Sequence, residues 1–291
     1  MDLLSIDSLT DEQIGSILDH AEKHYAAKFA APLSVTGKLV FNLFYENSTR
    51  TLMSFATAAH RLGASVVTMP VEQSSVKKGE SLQDTAATLN AMQPDLLVIR
   101  HRDNGAPAAV AEILDAPVIN AGDGTNEHPT QALLDAATIR HRLGQVEGLK
   151  IAICGDIKHS RVARSNTKLL SRLGAEVRLA GPPELMPEGI ERRSVDEAIE
   201  GADVVMMLRV QRERLESDLG DAPGEFLRRY GLTADRLAHA ASDAAVMHPG
   251  PINRGVEIDG AIADDPERSL ITTQVAMGVA VRMACLELLL A

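Results

Sequence analysis

The sequence predicts an α/β protein of two domains, each a parallel sheet covered by helices. Short apolar runs rich in branched residues, Leu39–Phe44 and Lys150–Cys154 among them, alternate with stretches of helical periodicity. The alternation breaks between Gly144 and Gly148 and then starts again. With 291 residues the chain has room for two ordinary cores.

In chain order, residues 7–29 read as a helix with Thr10 as its N-cap and Ile14, Ile17, Leu18 and Ala21 as its apolar stripe. Leu39–Phe44 is a buried strand. Leu52, Phe55, Ala56, Ala59 and Leu62 then recur at helical spacing up to Gly63. Ser65–Met69 is a second strand. Residues 70–79 lose all periodicity; they read as a solvated loop or, alternatively, a functional arm. A helix at 80–92, a strand at 95–99, a helix at 106–114 and a strand at 117–120 follow. Residues 121–124 read as loop, and His128 opens a helix to 143.

The second half repeats the scheme. Strands are expected at Lys150–Cys154, Glu176–Ala180, 203–208 and 244–247, and helices at 160–173 and 223–230. Ser194 and Glu197 match a capping box. Residues 211–221 read as loop or frayed helix and 252–266 as loop. The last helix is 272–290.

Composition excludes several classes of function. The net charge of -11 opposes non-specific nucleic-acid binding, which needs a basic field. At 3% aromatics and no Trp, stacking platforms are scarce. Cys154 and Cys285 lie in apolar contexts and read as core residues of a reducing compartment. The N-terminus lacks a signal pattern, and no run approaches the roughly 18 apolar residues of a membrane span. A cytoplasmic location is expected. No His/Cys/Asp/Glu set has metal-ligand spacing, and no nucleophile elbow or activated Cys is evident.

Chemistry concentrates where strands end. In an open parallel sheet, ligands bind outside the carboxyl ends of strands. Ser48, Thr49, Arg50 and Thr51 occupy a strand-to-helix turn, where free N–H groups and the helix dipole suit a phosphate. Taken alone, Ser48 is as well explained as an N-cap. Arg100, His128 with Gln131, Arg161, Arg209 and the stretch His248-Pro249-Gly250-Pro251 occupy other strand ends or helix starts. Each has a plainer reading: Arg100 as a surface arginine, His128 as a turn residue, Arg161 as part of a solvated face with Lys158, His159 and Arg164, and His248–Pro251 as a rigid loop. The isomer of Pro251 stays open. Together, arginines at four such positions in an acidic chain point to a pocket for substrates with several negative charges. Gly155-Asp156 lacks the G-x-G-x-x-G spacing, which disfavours NAD.

Seven motifs in order resemble the aspartate/ornithine carbamoyltransferase family, its aspartate-using members above all. They are Phe44–Thr51, Ser74–Ser81, Arg100-His101, Asn126–Asp135, Gly155–Arg161, Leu208–Gln211 and His248–Pro251, and they span nearly the whole chain. The resemblance implies transfer of the carbamoyl group of carbamoyl phosphate to L-aspartate, the second step of de novo pyrimidine biosynthesis, with no cofactor, metal or covalent intermediate. It implies that Ser48, Thr49, Arg50 and Thr51 cradle the phosphate and that Thr51, Arg100 and His128 face the carbonyl oxygen. Arg50, Thr51, Arg100 and His128 would thus be the catalytic set. Gln131 and the carbonyls of Gly250 and Pro251 would meet the NH2 group. Arg161, Arg209 and Gln211, with Lys78, would hold aspartate. Ser74 and Lys78 would come from a neighbouring subunit of a homotrimer, which gives the 70–79 loop a purpose.

The resemblance also implies a carbamoyl-phosphate domain at 1–143, onto which 272–291 packs back, and an aspartate domain at 144–271. Two helices, 129–143 and 272–290, would join them. Regulatory chains or a dihydroorotase-like partner occur with some relatives; nucleic acid and membrane are not expected partners. Ornithine is the nearest rival substrate. Its subfamily carries a Cys in the loop where this chain has His248-Pro249-Gly250-Pro251. A non-catalytic scaffold is the remaining alternative, opposed by the presence of every residue the chemistry needs.

Overall fold

The structure is a computed structural model that describes residues 1–30, 32–69, 71, 75–191, 193–210 and 224–291. The chain divides into two compact units, Met1–Ala137 with Val275–Ala291, and Thr138–Gln274.

The first unit holds strands β1 (Leu39–Phe44), β2 (Ser65–Met69), β3 (Leu96–His101) and β4 (Val118–Asp123). They form a parallel sheet in the order β2-β1-β3-β4. Helices α1 (Asp11–Ala26), α2 (Thr49–Arg61), α3 (Leu82–Asn90) and α4 (Ala106–Ala111) belong to the same unit. Because side chains alternate along a strand, β1 sends Phe41 and Leu43 to one face and Val40 and Asn42 to the other. Phe41 and Leu43 pack with Leu97, Ile99 and Val118, and with Ala86, Leu89 and Val110 of α3 and α4. Phe55, Ala58 and Ala59 of α2 are buried as well. The inner strands are therefore apolar apart from Asn42 and the strand-end pair Arg100-His101, as a sheet covered on both faces favours. The edge strand β2 is mostly exposed.

The boundaries between units fall within α5 (Pro129–Leu143) and within α11 (Ile271–Leu290). The second unit holds β5 (Lys150–Cys154), β6 (Glu176–Ala180), β7 (Val204–Met207) and β8 (Ala245–Met247). Their order, β6-β5-β7-β8, repeats that of the first sheet, again all parallel. Its helices are α6 (Arg161–Arg172), α7 (Val195–Ile199), α8 (Glu225–Tyr230), α9 (Ala234–Leu237) and α10 (Gly260–Ala263). One core cluster joins Ala152, Cys154, Val205, Met207 and Val246 of the sheet to Val195, Ala198 and Ile199 of α7.

The structure corrects several expectations in detail. The first helix starts at Asp11, not residue 7, because Thr10 is extended and forms a capping box with Gln13. The strand expected at 95–99 runs on through Arg100 and His101, since Arg100 pairs with Phe44 in the ladder. Residues 121–123, expected as loop, belong to β4, with Asp123 paired to His101 after a register shift. The loop expected at 252–266 contains α10, started by the Asp259 side chain accepting from Ala261 N–H. The segment 211–221 lies outside the described residues. Finally, α11 is by length and composition apolar enough to cross a membrane, against the expectation that no run approaches that limit. Two-thirds of its most apolar stretch, 67%, is buried inside the protein, which is how a core helix behaves.

Candidate active site

The chain leaves β1 for β2 on one side and returns to place β3 on the other. The order of connections reverses there, so the carboxyl ends of β1 and β3 flank a switch point, the ligand-binding position of such sheets. The same reversal occurs between β5 and β7 in the second unit.

At the first switch point stands the turn Tyr45–Thr51. Tyr45 N–H donates to Arg100 O at 2.8 Å, which ties the turn to the end of β3. Ser48 is the N-cap of α2 by position and extended backbone, yet its hydroxyl makes no capping bond. The plain reading as a cap therefore fails for its side chain. Thr49 and Arg50 are exposed in the first turn and Thr51 is buried. The first turn of α2 has no acidic residue to neutralise its N–H groups.

Arg100 is not a surface arginine. Its Nε donates to Glu46 Oε2 at 3.2 Å, with both side chains largely shielded from solvent. Next to it, His101 stacks edge-on against Tyr45 at 4.5 Å. His101 Nδ1 accepts the N–H of Asp103 at 3.0 Å. Burial pulls the His101 imidazole below its ordinary range, and Asp103 pulls the other way.

His128 immediately precedes Pro129, the first residue of α5, and is 3% exposed. Its carbonyl accepts the N–H of Gln131 at 3.0 Å, so it closes the first turn. Gln131 donates through Nε2 to Asp135 Oδ1 at 3.0 Å. Arg282 of α11 is buried in the same unit. Its Nη1 donates to Gly278 O at 3.1 Å, and its guanidinium lies 5.0 Å from the Phe55 ring centre. Burial lowers the Arg282 pKa to about 10, which leaves it a cation at neutral pH.

In the second unit, Gly155 ends β5 with φ of +131°, and a Cβ there would lie 2.9 Å from Leu208 O. Only glycine fits this approach of the β5 turn to the end of β7. That explains the Gly155-Asp156 pair without a dinucleotide. Asp156 is buried and accepts from both His159 N–H, at 3.1 Å, and His159 Nδ1, at 3.0 Å. Ser160 then caps α6 by accepting from Ala163 N–H at 3.0 Å. Arg161 is the first residue of the helix and only 8% exposed, while Lys158 and Arg164 are exposed. The solvated-face reading of Arg161 is thereby overturned. Arg209 follows β7 and is half-buried.

After β8, the His248–Pro251 loop is fixed from inside. His248 Nδ1 accepts Gly250 N–H at 2.8 Å and Nε2 lies 3.2 Å from Glu257 Oε1, both side chains fully buried. Gly250-Pro251 is a cis peptide. Lys78 is exposed at the end of the 3-10 turn Ser75–Lys78; Ser74 and Gln211 lie outside the described residues. Among the described residues no group of three or more His, Cys, Asp or Glu is placed to hold a metal ion.

The sequence reading missed Glu46, Asp135 and Glu257, the carboxylates that orient Arg100, Gln131 and His248, and Asp156, which holds His159. Asp135 had a usable signal in its i,i+4 spacing from Gln131. Glu257 had none, because it lies in irregular chain.

Fold and site together define a two-domain α/β protein built to hold small anions at the switch points of parallel sheets. Residues 1–141 match the model of the aspartate/ornithine carbamoyltransferase carbamoyl-P binding domain, and residues 147–289 match that of the Asp/Orn binding domain. The chain belongs to the aspartate/ornithine carbamoyltransferase family. It is 56% identical over 296 residues to the aspartate carbamoyltransferase catalytic subunit of Rhizorhabdus wittichii, covering 99% of this chain and 94% of that one. Identity to the corresponding subunit of Granulibacter bethesdensis is 55%, with the same coverage. Trypanosoma cruzi aspartate transcarbamoylase with carbamoyl phosphate bound is structurally similar, at TM-score 0.89 and 33% identity over 100% of this chain and 96% of that one. Its complex with N-(phosphonacetyl)-L-aspartic acid gives TM-score 0.87 and 34% identity over 100% and 95%.

Proposed function

We propose that this chain transfers the carbamoyl group of carbamoyl phosphate to the amine of L-aspartate, releasing N-carbamoyl-L-aspartate and phosphate in pyrimidine biosynthesis. The observation that carries the proposal is the Ser48–Thr51 turn, whose hydroxyl-rich helix start is tied to Arg100 at a sheet switch point. Solved relatives hold carbamoyl phosphate, alone or with aspartate.

In the proposed mechanism, Ser48, Thr49, Arg50, Thr51 and the N–H groups of α2 bind the phosphate, whose departure Arg50 favours by charge. The uncharged amine of aspartate attacks the carbamoyl carbon, and negative charge grows on the carbonyl oxygen. Thr51, Arg100 and His128 donate to that oxygen. Arg100 reaches this task already oriented by Glu46. Gln131 and the carbonyls of Gly250 and Pro251 accept from the NH2 group. Arg161, Arg209 and Gln211 hold the two aspartate carboxylates. The departing phosphate takes the amine proton, so no side chain need act as base. Most of the acceleration comes from orienting two anions that repel each other in water.

The same reading assigns Ser74 and Lys78 to the site of a neighbouring subunit in a homotrimer located in the cytoplasm. Formation of carbamoyl-aspartate from the two substrates tests the activity, with ornithine assayed in parallel and the native mass measured. Product from aspartate but not ornithine, from a trimer, is expected. Product from ornithine alone would reverse the substrate assignment, and no product with either amine would favour a scaffold.

A further inference from the structure

We infer that Asp135 is a positioning residue that sets the hydrogen-bonding polarity of Gln131 and so makes the site prefer a carbamoyl over an acetyl group. This rests on the function proposed above.

The two ends of a glutamine amide have nearly the same shape and opposite chemistry, one donating and the other accepting. Left to itself, Gln131 could present either end to a substrate with little steric penalty. Asp135 removes the choice. It lies one helical turn further along α5, is fully buried, and accepts from Gln131 Nε2 at 3.0 Å. An ionised carboxylate only accepts, so the NH2 end of Gln131 must face it. Turning the amide would set two acceptors against each other between two buried side chains. That bond is Gln131's only side-chain hydrogen bond among the described residues. The carbonyl oxygen is thus reserved as an acceptor.

An acceptor at this position suits a ligand that offers N–H. Carbamoyl phosphate has an NH2 group where acetyl phosphate has a methyl of nearly equal size. A fixed acceptor tells the two apart, whereas a freely turning amide does so poorly. The charge that Asp135 needs is also supplied locally. Arg282 is a buried cation of the same unit, held by Gly278 O, and Asp135 is among the charges that act on it. A nearby guanidinium favours the ionised, acceptor-only form of the carboxylate.

The experiment measures dissociation constants of carbamoyl phosphate and acetyl phosphate for the full chain, wild type and Asp135→Asn. Asparagine keeps the shape but can offer either an acceptor or a donor to Gln131. The preference for carbamoyl phosphate is expected to fall about tenfold in the variant, while acetyl phosphate binding changes by less than about twofold. Equal weakening of both ligands would reduce Asp135 to a structural part and overturn the inference, as would an unchanged ratio. A wild type that binds neither ligand would overturn the proposed function itself. If Asp135→Asn does not fold, the Gln131 side-chain amide is followed by NMR in the wild type. Slow rotation and slow exchange of its NH2 protons are expected; rapid exchange like that of a solvent-exposed amide would overturn the inference.

Discussion

The N–H of Gly250 donates to Nδ1 of His248, two residues earlier, at 2.8 Å. With that nitrogen accepting, the ring's other nitrogen carries the proton and donates to Glu257, 3.2 Å away. Glu257 in turn receives Asn253 N–H. One buried imidazole thereby fixes the backbone of the loop whose Gly250 and Pro251 carbonyls the proposed mechanism uses. His248→Ala is expected to lower kcat/KM for carbamoyl phosphate by at least about tenfold and to destabilise the fold by roughly 1–3 kcal/mol, since buried partners lose their bonds. Steady-state kinetics and urea unfolding measure the two effects separately.

Ser48 and Ser160 both begin helices, but only Ser160 caps with its side chain. Ser160→Ala is expected to cost about 1 kcal/mol of stability. Ser48→Ala should change stability by far less while raising KM for carbamoyl phosphate. Parallel thermal melts and saturation curves decide this; equal loss of stability in the two variants contradicts the assignment.

The proposed mechanism makes His128 a donor, not the base. His128→Ala should therefore lose less activity than Arg50→Ala, and added imidazole should not restore it. A rescue that tracks the added general base would make His128 the base instead.

Acid should weaken the fold through His101. Its pKa is depressed from the ordinary 6.5, first by burial, against the pull of Asp103, Glu46 and Asp123. The folded state then binds fewer protons than the unfolded state just below that value, so stability falls as pH drops through about 6.5. Protonation also removes the acceptor for Asp103 N–H. Urea midpoints between about pH 7.5 and pH 5.5 are expected to drop more in wild type than in His101→Phe, which keeps a ring against Tyr45.

Cys154 and Cys285 should be silent. Both are fully buried and unbridged, and burial pushes each thiol up to about 12. Thiolate, the reactive form, is scarce at neutral pH. Reaction with a thiol reagent should appear only on unfolding, with two thiols per chain.

The sheets were plain in the sequence because their covered strands are short apolar runs bounded by turn residues; Lys150–Cys154 and the edge strand Glu176–Ala180 match the structure residue for residue. The turns that carry Ser48 and Arg161 were legible for a related reason, since polar residues directly after such strands stand out. Short helices such as α9 and α10, four residues each, are too brief to show a period. The supporting carboxylates were hidden because their meaning lies in partners far along the chain or across a turn: Glu46 on Arg100, Glu257 on His248. A lone acidic residue in sequence carries no sign of what it orients.

Both units use one strand order, with the chain reversing at the second sheet as it does at the first. Each is also matched by its own family model, one for carbamoyl phosphate and one for aspartate or ornithine. In the proposed reaction the two reactants thus draw mainly on different units, with Gly250 and Pro251 of the second unit lent to the carbamoyl group. On that assignment evolution can retune the acceptor amine by editing the loops after β5 and β7 while the loops after β1, β3 and β8 stay as they are, and a protein engineer can follow the same division of labour.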